Sequence, residues 1–233
     1  MAKVIFTLPQ LEVELDGGNP RESLMAVAGG REPEADWLKK ALRKRRLFCA
    51  DKGSAVCLNI GVCPEILWGD CDSTSAEFYS KVQHKGATVY RYPKEKDDTD
   101  LQLLLKELPE GDLLCSGIWG GRFDHLYSNV FSLLQYKLKL QNQVVMADEK
   151  EVMVLLTEGE TAELRFSCKP YAISLLPLSL NTKVDFSRVH WPLEGAELEM
   201  LHPYAISNET DNDSVSCKCY SGCVGLYCCF EKA

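Results

Sequence analysis

The sequence predicts an α/β fold with a mostly parallel sheet and helices on both faces, followed by a C-terminal antiparallel β-sandwich domain. Three observations predict it. Short apolar runs alternate with amphipathic segments as far as Ala147. Glycines, aspartates and basic residues cluster just beyond those apolar runs, where an open parallel sheet binds its ligands. After Asp148 the helical period disappears, and short strands separated by Gly and Pro replace it.

The elements follow in order. "MAKVIFTLPQLEVEL" alternates apolar and polar residues and reads as an extra edge strand or hairpin. "SLMAVAGG" is a strand closing on glycines, and "EPEADWLKKALRKRR" places Trp37, Leu38, Ala41 and Leu42 at helical spacing. "LFCAD" is a strand, "SAVCLNIG" a helix, "EILWGD" a strand and "TSAEFYSKVQHKG" a helix stopped by glycine. "ATVYRYP", the helix "DTDLQLLLKEL" and the strand "DLLCSGIWGG" come next. "RFDHLYSNVFSLLQYKLKL" is the longest helix, with Phe123, Leu126, Val130, Leu134 and Leu138 on one stripe, and "QVVMAD" closes the series. Beyond it, "EVMVLLTEG", "TAELRFSCK", "YAISLLPLSL" and "KVDFSRVHWPL" read as strands. "SVSCKCYSG" and "CVGLYCCFE" read as two strands of a hairpin turning near Gly222. The expected domains are 1–147, including an N-terminal extension over 1–22, and 148–233.

Composition narrows the function. Of 233 residues, 45% are apolar and 26% charged, the balance of an ordinary chain able to bury a core. A net charge of −8 argues against nucleic acid as a partner. The one basic run, Lys39–Arg46, reads as a solvated helix face. No stretch reaches the roughly 20 apolar residues of a membrane span, so no membrane is expected and a cytoplasmic location is. Eleven cysteines are present, five of them in the tail; the tail spacing lacks the paired C-x-x-C knuckles of a zinc site, and strand alternation accounts for it better.

Several polar clusters carry chemistry. "GDCDS" sets Asp70 and Asp72 two residues apart where a strand ends, a pair suited either to magnesium or to an Asx turn. "KEKDDTD" brings Lys96 and Asp100 within one turn, a cation for polyphosphate and a carboxylate for a bridging metal, with Thr99 or Asp98 suited to cap the next helix. "GIWGGRFDH" ends a strand in glycines and opens a helix with Arg122, an arrangement that attracts phosphate, although Gly-Gly before a helix is often only a turn.

Taken in order, Asp51-Lys52-Gly53, Gly69-Asp70-Cys71-Asp72-Ser73, Lys96-Asp97-Asp98-Thr99-Asp100 and Gly121-Arg122-Phe123-Asp124-His125 resemble thiamine pyrophosphokinase, as does "ISNE" at 206–209. The resemblance spans about residue 24 to the end of the sequence. It departs at Lys52 and Ser54, where Gly-Ala is common, and at Cys71, where Phe is usual. It implies ATP-dependent, magnesium-requiring diphosphoryl transfer to the hydroxyl of thiamine, giving thiamine diphosphate and AMP. It also implies a homodimer with thiamine held between subunits. By resemblance, Asp70, Asp72 and Asp100 are the catalytic, metal-facing carboxylates. Gly30, Asp51, Lys52, Gly53, Lys96, Thr99, Arg122, Asp124 and His125 line the ATP side, and Ser207, Asn208 and Trp191 lie near thiamine. The alternatives are a diphosphokinase for another acceptor, such as a hydroxymethylpterin, and a nucleotide-binding relative without turnover.

Overall fold

The computed structural model describes residues 3–16, 18–19, 21–69, 82–91 and 97–232. The predicted site residues Asp70, Asp72 and Lys96 lie outside them, as does most of the helix expected over 74–86. The chain divides into two units, Arg21–Asn142 and Met1–Pro20 with Gln143–Ala233.

In the unit Arg21–Asn142, β3 (Ser23–Val27), β4 (Arg46–Ala50), β5 (Ile66–Gly69), β6 (Thr88–Arg91) and β7 (Asp112–Ser116) form parallel pairs in the order β7-β3-β4-β5-β6. β3 and β7 are buried almost throughout, the mark of central strands covered on both faces. Leaving β3, the chain steps to β4, β5 and β6 on one side, then reaches β7 on the other. The strand order therefore reverses at β3, and a doubly wound sheet opens a crevice at such a point. Helices α1 (Ala35–Ala41), α2 (Gly53–Asn59), α3 (Asp100–Glu107) and α4 (Phe123–Leu140) connect the strands. α2 packs on β3 and β4, and α3 packs on β4, β5 and α4.

Two local readings change here. The helix expected through the basic run stops at Ala41, and Arg46 already belongs to β4, where its guanidinium pairs with Glu22 and Glu65. On α4 the buried residues are Val130, Ser132, Leu133, Leu134, Tyr136 and Lys137, while Phe123 and Leu138 at the ends of the expected stripe are exposed. Steps of four residues overshoot the 3.6-residue turn, so a stripe drawn with them drifts off the buried face.

In the other unit, β1 (Lys3–Thr7) and β2 (Leu11–Asp16) form the expected hairpin. It does not extend the α/β unit. β2 pairs with β10 (Thr161–Phe166), giving an antiparallel sheet in the order β1-β2-β10-β14-β12-β13 with β12 (Thr182–Ser187), β13 (Leu193–Leu198) and β14 (Ser214–Ser221). The alternating pattern buries Leu11, Val13 and Leu15 completely, which gives the hairpin a core face to dock. β11 (Ala172–Pro177), β15 (Cys223–Cys229), β9 (Glu151–Thr157) and β8 (Val144–Ala147) run antiparallel in that order.

The expected cysteine hairpin is corrected by this topology. β14 pairs with β10 and β12, whereas β15 pairs with β9 and β11, so Gly222 (φ +75°) is a corner between two sheets rather than a hairpin turn. Both strands are central, and Cys217, Cys219, Cys223 and Cys228 are buried as small apolar side chains. Burial pushes the Cys219 thiol up to about 12. Across the described residues antiparallel pairs outnumber parallel ones, so the chain combines mixed sheet pairings with few helices, and the parallel character is confined to 21–142.

Candidate active site

The carboxyl ends of β3 and β7 continue as a zipped pair of loops. Ala28 N–H donates to Ser116 O at 2.9 Å, Gly30 N–H to Gly117 O at 2.6 Å and Arg31 N–H to Trp119 O at 2.6 Å. A cavity of about 320 Å3 opens beside this seam, within the small-molecule range. Its walls come from the ends of three strands and the starts of two helices: Gly29 and Gly30 after β3, Asp51 after β4, Gly117, Ile118, Gly120 and Gly121 after β7, Thr99 and Asp100 at α3, and Arg122, His125 and Asn129 along α4.

Asp51 sits in the left-handed region (φ 48°), which costs a non-glycine residue on the order of 1–2 kcal/mol. Its backbone is fixed on both sides: its N–H donates to Trp68 O at 2.7 Å, and its carbonyl accepts from Ser54 Oγ at 3.0 Å. A strained residue held this firmly at the mouth of a cavity is a functional signal. Lys52 is the N-cap residue of α2. Gly53 begins the helix where a Cβ would lie 2.1 Å from Val27 O, so only glycine lets α2 approach β3 this closely.

Thr99 caps α3 through a full capping box: Gln102 N–H donates to Thr99 Oγ1 at 3.3 Å, and Thr99 N–H donates to Gln102 Oε1 at 2.8 Å. The cap leaves Asp100 as the first helical residue, facing the cavity, where the helix dipole favours its charge. On α4, Arg122 donates through Nε to Asp124 Oδ1 at 3.1 Å, and Asp124 Oδ1 also accepts His125 N–H at 3.0 Å. The Arg122 bond holds the Asp124 carboxyl below its ordinary range and raises the guanidinium further above its own. Both side chains are exposed and can still turn toward an anion.

The structure thus brings together Gly30, Asp51, Thr99, Asp100, Arg122 and His125, six of the predicted residues, with Lys52, Gly53 and Asp124 adjoining them in sequence. The sequence reading missed Asn129, which lines the cavity and donates to Ile118 O at 3.3 Å. Arg122, His125 and Asn129 fall three and then four residues apart, so the helical period could have found it. As to the expected magnesium, Asp51 and Asp100 offer the hard carboxylate oxygens that suit it. Among the described residues no three His, Cys, Asp or Glu side chains group closely enough to hold an ion, and the other two expected ligands lie outside those residues.

Ser207, Asn208 and Trp191 belong to the other unit and lie together. The Asn208 side chain is buried: Nδ2 donates to Trp191 O at 2.8 Å, while Oδ1 accepts Trp191 N–H at 3.2 Å and Glu209 N–H at 2.9 Å. Its backbone bridges to Ile173. Asn208 therefore fixes the loop that presents Trp191, whose ring is 61% exposed. Ser207 is exposed, in the left-handed region (φ 58°), with its N–H bonded to Ser174 Oγ at 3.1 Å.

Comparison with known proteins finds one enzyme repeatedly. Residues 38–146 match the family profile described as thiamin pyrophosphokinase, catalytic domain. A thiamine pyrophosphokinase of Bacillus subtilis is 25% identical over 201 residues, covering 84% of this chain and 88% of that protein. The crystal structure of thiamine pyrophosphokinase from Bacillus subtilis superposes with a TM-score of 0.77 at 22% identity, covering 90% of this chain and 100% of that one. That of thiamin pyrophosphokinase from Geobacillus thermodenitrificans gives 0.74 at 25% identity, covering 90% and 98%. Glycine-lined loops at the sheet's switch point, flanked by Asp51, Asp100 and Arg122, fall within or beside the matched segment, and over residues 38–146 this chain is similar to a thiamin pyrophosphokinase catalytic domain.

Proposed function

We infer that the protein transfers the β,γ-diphosphoryl group of ATP to the hydroxyl of thiamine, releasing thiamine diphosphate and AMP. The observation that carries this reading is the convergence of Asp51, Asp100, Thr99 and Arg122 on one cavity within a domain matched to that family. ATP occupies the cavity with its phosphates along the loop after β7, where glycines allow close backbone approach and Arg122 supplies charge. Asp100, with Asp70 and Asp72, would hold Mg2+, which would supply charge neutralisation to the transferring phosphates. The thiamine oxygen forms a bond to the β-phosphorus as the bond from that phosphorus to the α,β-bridging oxygen breaks, and AMP leaves with that oxygen. The hydroxyl proton passes to a carboxylate of the Asp100 group. Ser207, Asn208 and Trp191 sit near the acceptor, Trp191 offering a ring on which thiamine can stack.

The same reading includes a β-sandwich arrangement for the second unit and a homodimer, which sedimentation of the purified protein checks. No helix among the described residues is long and apolar enough to cross a membrane, which is consistent with a cytoplasmic enzyme. The test supplies ATP, Mg2+ and thiamine together and resolves the products by chromatography. AMP and thiamine diphosphate in equal amounts are expected. ADP in place of AMP, or AMP formed only with a hydroxymethylpterin, would overturn it.

A further inference from the structure

The cavity depends on two helix starts arriving at the same place: α3 delivers Thr99 and Asp100, and α4 delivers Arg122, His125 and Asn129. One side chain outside the cavity touches both systems. Gln102 accepts Thr99 N–H through Oε1 at 2.8 Å and donates through Nε2 to Ser132 Oγ on α4 at 3.0 Å. Chemistry fixes the orientation of this amide, since its NH2 group cannot face the Thr99 N–H and the oxygen must. Ser132 is buried and Gln102 half-buried, and their bond lies in the wall of a second cavity of about 440 Å3.

We propose that Gln102 and Ser132 are positioning residues, a tie that sets the start of α3 against α4 and so holds Asp100 in register with Arg122 for polyphosphate binding. The proposal rests on the ATP reading above. Neither residue touches the reacting atoms; Gln102 acts through the Thr99 cap, and Ser132 acts through Gln102. Capping alone does not require the second bond, because the reciprocal Thr99–Gln102 pair already satisfies the helix end. The Ser132 bond adds a lateral constraint where α3 packs against α4.

The experiment titrates Mg2+·ATP into the full-length protein without acceptor, by calorimetry, well below the unfolding midpoint of each variant. Ser132→Ala removes only the lateral bond and is expected to weaken ATP binding about tenfold, equivalent to ~1.4 kcal/mol. Ser132→Thr keeps a hydroxyl and restores affinity to within about threefold, the range of a weakened single hydrogen bond. Gln102→Leu combined with Ser132→Ala is no worse than Gln102→Leu alone, as expected for two residues of one unit. A lower midpoint with wild-type affinity in Ser132→Ala overturns the tie and leaves the ATP reading intact. Absence of ATP binding in the wild type overturns both.

Discussion

Replacing Gly53 by Ala tests how the cavity is built. A Cβ at this position would meet Val27 O at 2.1 Å, Val27 C at 2.6 Å and Ala28 O at 2.9 Å, all of them backbone atoms with no flexible end to swing away. Ordinary contact begins near 3.4 Å, so α2 must retreat from β3 by roughly 1.3 Å. Overpacking of this kind costs about 1–3 kcal/mol, and a backbone clash belongs at the upper end. Alanine recovers up to about 1 kcal/mol of helix propensity, which leaves a net loss of roughly 2 kcal/mol. The retreat also moves Asp51 relative to Gly29 and Gly30, and a displacement of that size costs on the order of 100-fold in rate. The matched control is Gly61→Ala, where φ is +82° and nothing lies within 4 Å. It carries only the conformational cost of about 1–2 kcal/mol and should leave kcat/KM for ATP unchanged. Urea denaturation followed by circular dichroism, with initial rates of AMP release, reads both effects. A Gly53→Ala protein that keeps wild-type kcat/KM would refute the claim that close packing of α2 on β3 places Asp51.

Asp100→Asn should lower kcat at least about 100-fold, because the carboxylate acts on developing charge, while the urea midpoint moves little; unchanged turnover removes Asp100 from the chemistry. Arg122→Ala should raise KM for ATP, and Arg122→Lys should restore it only partly, since an ammonium lacks the guanidinium fork. In the wild type the Asp124–Arg122 pair persists above the ordinary carboxylate range and is lost as pH falls through the lowered Asp124 value; carboxyl NMR titration should find that value moving up in Arg122→Ala. Asn208→Ala abandons three hydrogen bonds in a buried place and should cost about 1–3 kcal/mol in denaturation. It should also raise KM for thiamine more than KM for ATP, and equal changes would undo the placement of the acceptor.

The parts of this fold legible in the sequence are those governed by short-range periodicity. β3, β4 and β7 are continuous apolar runs, and α3 announces itself with Thr99 and Gln102 spaced as a capping box. Polar residues at strand ends were legible too, because the sheet's direction alone sends Asp51, Asp100 and Arg122 to one side. Partner choice was not. Strands β14 and β15 look like a hairpin because they alternate and flank a glycine, but pairing depends on β10 and β9, some sixty residues earlier in the chain. β13, "LEGAEL", escaped notice because it is mostly exposed and bears a glycine at φ +54°. Asn129 was legible only by extending the Arg122–His125 face one turn along α4, since a polar residue within an amphipathic helix otherwise reads as solvent-facing.

The β1–β2 hairpin gives the chain an unusual order of assembly. Strand β10 is lined on one flank by β2 and on the other by β14, so residues on either side of the 21–142 segment complete the same sheet. During synthesis the hairpin must wait for β10 while the whole 21–142 segment is made. Deleting β1 and β2 would uncover the β10 ladder along Leu11↔Phe166 to Asp16↔Thr161, an open edge of the kind that recruits other chains into aggregates.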